Sequence, residues 1–174
     1  MPKQITEKRL YNITLFYLSK YEASAEKVKQ MLRRRLDKAT LAGAEIPAES
    51  DIWINNVIKK MESLGYINDE RFAENQVRIL TRQGKSAKFI TGKLLQAGIS
   101  AEVIRTLLDE TEQSDTERAL AWLKHRRRGP YRTNPPQTPE ELRLIRQKDL
   151  AALARAGFSY QTATEALQHE EPFS

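Results

Sequence analysis

Cysteine is absent from the 174-residue chain. That removes disulfides, thiol catalysis and thiolate metal sites, and it fits a reducing compartment, so a cytoplasmic location is expected. Long apolar runs are missing as well. No fully apolar stretch exceeds five residues, as in Ala119–Leu123, far short of the ~20 that span a bilayer. No membrane association is expected. The opening MPKQITEKRL carries charge without an apolar core and does not read as a secretory signal. Histidine is scarce: His125 stands in an arginine run and His169 near the C-terminus. Neither has a metal-binding or acid–base partner at helical spacing. Phosphate-loop, dinucleotide and nucleophile motifs are missing too. The densest carboxylate cluster, Asn68-Asp69-Glu70, falls at an expected helix start, where negative charge meets the positive end of the helix dipole. The chain therefore reads as a non-enzyme with no cofactor and no metal.

What is present is helical periodicity. Ile54, Val57, Ile58, Met61 and Leu64 recur at helical spacing, as do Val28, Met31, Leu32 and Leu36. No segment alternates as a strand would. Ser114-Asp115-Thr116-Glu117 is a capping box, and Thr138-Pro139-Glu140-Glu141 is a second one with proline at the first helical position. Ser24, Ser50, Ser86, Ser100 and Ser159 precede periodic segments as N-caps. Gly65, Gly84, Gly98 and Gly157 stand where helices end in a left-handed residue. These marks predict helices near 6–20, 24–40, 50–64, 69–83, 86–97, 100–111, 114–128, 138–156 and 159–168. Loops are expected at 42–49 and, rich in proline, at 129–137.

The predicted helices group in threes. SAEKVKQML (Ser24–Leu32) is echoed by SAKFITGKL (Ser86–Leu94), and LLQAGIS (Leu94–Ser100) by LARAGFS (Leu153–Ser159). The expected organisation is all-α, with three tandem three-helix repeats at 1–67, 68–112 and 113–174. Within LGYINDERFAENQV (Leu64–Val77), Gly65 should end one helix and Tyr66 and Ile67 should bury in the seam between repeats. Asn68 or Asp69 should cap the next helix, with Phe72 and Ala73 turned inward. On this reading Tyr66→Ala lowers stability. Gly65, Tyr66, Asp69, Phe72, Gly98 and Gly157 are the structural joint.

Net charge is +6, which permits nucleic acid or an acidic protein as partner. The charge comes in blocks. Residues 75–101 and 118–139 contain no acid, whereas 102–117 carry six acids against Arg105 alone. Arg71, Asn75, Arg78 and Arg82 share one helix face, opposite Ala73, Val77 and Leu80. Arg33-Arg34-Arg35 and Arg126-Arg127-Arg128 fan out around their helices. The binding candidates are Arg33, Arg34, Arg71, Arg78, Arg82, Lys85, Lys88, Lys124, Arg127 and Arg128; each cluster is either solvated surface or a contact with DNA phosphate or an acidic partner. Trp122 lies in an apolar stripe and reads as core rather than as a stacking platform. A helix-turn-helix reading, as a DNA-binding protein or repressor, meets an obstacle. The helix opening SAEVIRT (Ser100–Thr106) presents Glu102 and Arg105 and no Asn, Gln or Lys to read base edges.

LGYINDERFAENQVR, followed by GKSAKFITGKLLQAGIS and later by RAGFSYQTATEAL, resembles the RecX family of bacterial regulators of the RecA recombinase. The resemblance covers about residues 10–168 and is strongest in the middle repeat. It implies a non-enzymatic modulator built of tandem three-helix repeats in an elongated, curved array. It implies a monomer that lodges on RecA filaments, inhibits recombinase, ATPase and co-protease activities, and binds single- or double-stranded DNA without marked specificity.

Overall fold

The computed structural model describes residues 5–169. Among them are nine α-helices and no strand. They are α1 (Glu7–Leu18), α2 (Ala25–Leu41), α3 (Ser50–Ser63), α4 (Asp69–Arg82), α5 (Ala87–Gln96), α6 (Ala101–Asp109), α7 (Asp115–His125), α8 (Pro139–Arg155) and α9 (Tyr160–Gln168). A 3₁₀ turn occupies Gly129–Tyr131. The all-α expectation holds, and most starts follow from caps legible in the sequence. The hydroxyls of Ser24, Ser86, Ser100 and Ser159 accept from the backbone amides of Lys27, Phe89, Val103 and Thr162. At α7 the box is complete: Ser114 accepts from Glu117 N, and Ser114 N donates to the Glu117 carboxylate at 2.8 Å.

Three local expectations change. Ser50 lies inside α3 and donates its hydroxyl to Pro47 O, leaving Glu49 at the cap position without a side-chain bond. Thr138 does cap α8, but the Glu141 carboxylate accepts from Gln137 N instead of closing the box on Thr138. Helix α7 stops at His125, not at 128. There Arg127 takes the left-handed conformation (φ 51°), and Arg128 N reaches back to Leu123 O at 2.9 Å. This is the bonding pattern that usually recruits glycine at a helix end.

The chain divides into two compact units, Met1–Ala73 with Gln96–Ile99, and Glu74–Leu95 with Ser100–Ser174. In the first, α3 packs on α1 and α2 around Leu10, Val28, Leu32, Ile54, Val57, Met61 and Ile67. Thr14 is buried among them and satisfies its hydroxyl on Leu10 O at 2.9 Å, as a buried polar group requires. In the second, α9 packs on α7 and α8 around Ala119, Leu123, Leu153, Phe158 and Ala166. Trp122 is 5% exposed and belongs to this core, as its place in the apolar stripe predicts. Phe72, Ala73, Val77 and Leu80 of α4 are buried, on the side opposite the arginines.

Candidate functional site

The repeated sequence signals turn out to be two halves of one device. In the first unit, Ser24 caps α2 and donates its hydroxyl to Ala97 O, 2.7 Å away in the α5–α6 turn. Beside it, Ala25 N donates to Asp69 Oδ1 at 2.8 Å. In the second unit, Ser86 caps α5 and donates to Ala156 O, 3.1 Å away in the α8–α9 turn, while Ala87 N donates to Asp115 Oδ1 at 3.0 Å. The set of contacts is the same, displaced by three helices. Each Ser-Ala start meets a later Ala-Gly turn and a later aspartate. The glycine is needed for the approach: a Cβ on Gly98 would lie 2.7 Å from Glu26 Cβ, and one on Gly157 2.6 Å from Ser86 Oγ.

At Leu64–Val77 one expectation is corrected and one alternative is chosen. Tyr66 does not bury; it is 49% exposed, while its neighbour Ile67 is 3% exposed and packs into the first unit's core. Gly65 (φ 74°) turns the chain so that only one of the two consecutive side chains enters the core. Asp69 does not cap α4, because Asn68 Oδ1 accepts from Arg71 N at 2.9 Å. That frees the Asp69 carboxylate for Ala25. Phe72 is fully buried, with the Lys27 ammonium 5.1 Å from its ring centre.

The cationic candidates separate by their surroundings. Arg33 is exposed and pairs with Asp51 at 3.4 Å. Arg71 is tied to Glu22 at 3.3 Å. Arg78 donates to Asn75 at 2.6 Å, holding the two together on the exposed side of α4. Arg78 and Arg82 line a groove of about 320 Å³ that also contains Glu74 and Glu110, so its charge is mixed. The Lys85 ammonium sits 4.9 Å over the Phe89 ring. Lys88, Lys124 and Arg127 are exposed. Arg128 is not a free binding residue: it donates to Asp149 Oδ1 at 3.1 Å. Asp149 is 1% exposed and also accepts from Gly129 N and from Arg132. This buried carboxylate pins the start of the 129–137 loop to α8. Sequence reading missed it because its partners lie some twenty residues away. Arg34 lines a groove with Lys27, Arg35 and Lys38 of α2 and with Tyr17 of α1, whose approach to these cations is invisible in the linear sequence. Among the described residues no group of three or more His, Cys, Asp and Glu is placed to hold a metal ion. No helix among them is long and apolar enough to cross a membrane.

Residues 68–108 match the family model for the second three-helix domain of RecX. Regulatory protein RecX of Myxococcus xanthus is 33% identical over 168 residues, 95% of this chain and 88% of that protein. The chain belongs to the RecX family. Another relative, regulatory protein RecX of Agrobacterium fabrum, is 33% identical over 101 residues, but the match covers only 58% of this chain and 51% of that protein. Among solved structures, a crystal structure of regulatory protein RecX superposes with a TM-score of 0.61 at 22% identity, over 94% of this chain and 72% of that one. RecX from Lactobacillus salivarius superposes with a TM-score of 0.58 at 24% identity, over 94% and 96% of the two chains. At these identities the likeness carries the fold alone. The RecX relatives are regulatory proteins by name, and the family-model match covers the α4–α6 segment that contains Asp69, Phe72 and Gly98.

Proposed function

We propose that this RecX-family chain is a non-enzymatic cytoplasmic regulator, monomeric in solution, that binds RecA–DNA filaments. It lowers the recombinase, ATPase and co-protease activities of RecA by occupancy. The observation that carries this is the 33% identity to a regulatory RecX protein across 95% of the chain. The three-helix displacement of the Ser-Ala/Asp/Ala-Gly device supports a division into repeats at 1–67, 68–112 and 113–174. Non-specific DNA, single- or double-stranded, is the second partner, supported by the net charge of +6. Sequence-specific repression has less support, because the exposed face of α6 offers Glu102 and Arg105 to a groove, and a carboxylate near phosphates is repelled.

The test is RecA ATPase on single-stranded DNA with substoichiometric added protein. The rate is expected to fall. An unchanged rate at concentrations that saturate filament binding would exclude inhibition.

A further inference from the structure

The α1–α2 groove, of about 660 Å³, differs from the α4 groove, whose charge is mixed. Its cations are Lys27, Arg34, Arg35 and Lys38, and no carboxylate lines it among the described residues. Lys27, Met31, Arg34 and Lys38 follow the spacing i, i+4, i+7, i+11 on α2. At ~100° per residue these four fall within a stripe about 60° wide, and at 1.5 Å per residue the stripe runs about 16 Å. Three of the acids in the same unit have partners of their own. Glu26 accepts from Gln30, Glu22 from Arg71, and Asp51 from Arg33. The Lys27 ammonium is held against Phe72.

The other wall carries one aromatic side chain, Tyr17, half-buried against the first unit's core. Tyr17 lines the groove with Met31, and its ring lies 5.4 Å from that of Tyr21, tilted by 42°. Tyr21 is 60% exposed. A row of cations beside an aromatic side chain is the combination that holds a nucleic-acid strand: charges track the phosphates and a ring can stack on a base. A duplex hides its base faces within its own stack, so the ring is useful only to an unpaired strand. An acidic protein would use the cations and leave the ring without a role.

We propose that the α1–α2 groove is a site for single-stranded nucleic acid, with Arg34, Arg35 and Lys38 on phosphates and Tyr17 against a base. This rests on the reading that DNA is among the partners, and it names the strand state and the residues that reading leaves open.

The experiment is fluorescence anisotropy of a labelled twenty-nucleotide oligo-dT with the full chain, at several salt concentrations. Wild type is expected to bind oligo-dT more tightly than a duplex of the same length. The double variant Arg34→Glu/Lys38→Glu, at exposed positions that spare the core, should lose at least ten-fold in affinity. Its salt slope should become shallower by about 1.4, from two contacts at ~0.7 each. Tyr17→Ala should lose about ten-fold and Tyr17→Phe less than two-fold, with melting curves confirming that both are folded. A folded Arg34→Glu/Lys38→Glu protein that binds oligo-dT within two-fold of wild type overturns the groove. So does equal or tighter binding of duplex. Retained oligo-dT binding with lost RecA inhibition would make the groove a protein contact and also overturns the proposal. Failure of wild type to bind any DNA would instead remove the DNA partner itself, while leaving RecA inhibition to be judged by the ATPase assay.

Discussion

At the scale of single residues, adjacent side chains have opposite fates. Ile67 is buried in the first unit's core and Tyr66 stands half out of it. Ile67→Ala removes buried carbon and should cost about 2–4 kcal/mol. Tyr66→Ala should cost less than ~1 kcal/mol, in contrast to the loss expected if both were buried. Urea titration of the two variants measures the difference, and equal losses would contradict it. Asp149 is the other decisive residue. Three donors converge on its buried carboxylate: the guanidinium groups of Arg128 and Arg132 and the amide of Gly129. Asp149→Ala leaves Arg128 and Arg132 partly able to turn to water, which moderates the usual cost of breaking a buried pair. A loss of about 2–4 kcal/mol is expected, with faster proteolysis at the 129–137 loop. Unchanged proteolysis would mean the loop is held by something else.

At the scale of elements, helix starts carry two duties. Ser24 and Ser86 each cap a helix and donate to a carbonyl in a distant turn. Ser86→Ala deletes both bonds, and about 1–3 kcal/mol should be lost. Ser100→Ala deletes a cap without that second bond and should cost about 1 kcal/mol. Chemical denaturation ranks the two, and Ser100→Ala being the worse would sink the joint. The α7 capping box has a pH signature. The Glu117 carboxyl is held below its ordinary range, chiefly by the Ser114 backbone amide and then by the Ser114 hydroxyl. A depressed folded-state pKa stabilises the native form above the unfolded pKa, near ~4.3, and that stabilisation is lost as pH falls through the folded value. Glu117→Gln should therefore flatten part of the acid limb of the stability profile while leaving its shape at neutral pH unchanged. An identical acid limb in the variant would refute the contribution.

At the scale of the whole molecule, the predictions concern filament binding and rest on the proposed function. Arg78 and Arg82 are exposed and outside the cores. Arg78→Glu/Arg82→Glu should melt within about 2 °C of wild type, since surface changes usually stay within ±0.5 kcal/mol. Inhibition of RecA ATPase should weaken several-fold if this side of α4 meets the filament. Loss of oligo-dT binding with inhibition intact would assign these arginines to DNA instead.

By itself, the sequence determined the helices, nearly all their starts and stops, the burial of Phe72 and Trp122, and the family. These are short-range properties. A cap joins residues three apart, and an apolar stripe needs only the helical period. The recurrence of Ser-Ala and Ala-Gly was legible too, but not that the two signals bind each other. Only the tertiary structure decided that Asp69 serves Ala25, 44 residues earlier. It likewise drew Arg128 into the Asp149 cluster, kept Tyr66 in solvent and set Tyr17 beside Arg34. A charged or aromatic side chain is compatible with several environments, and its neighbour is chosen only when distant helices dock.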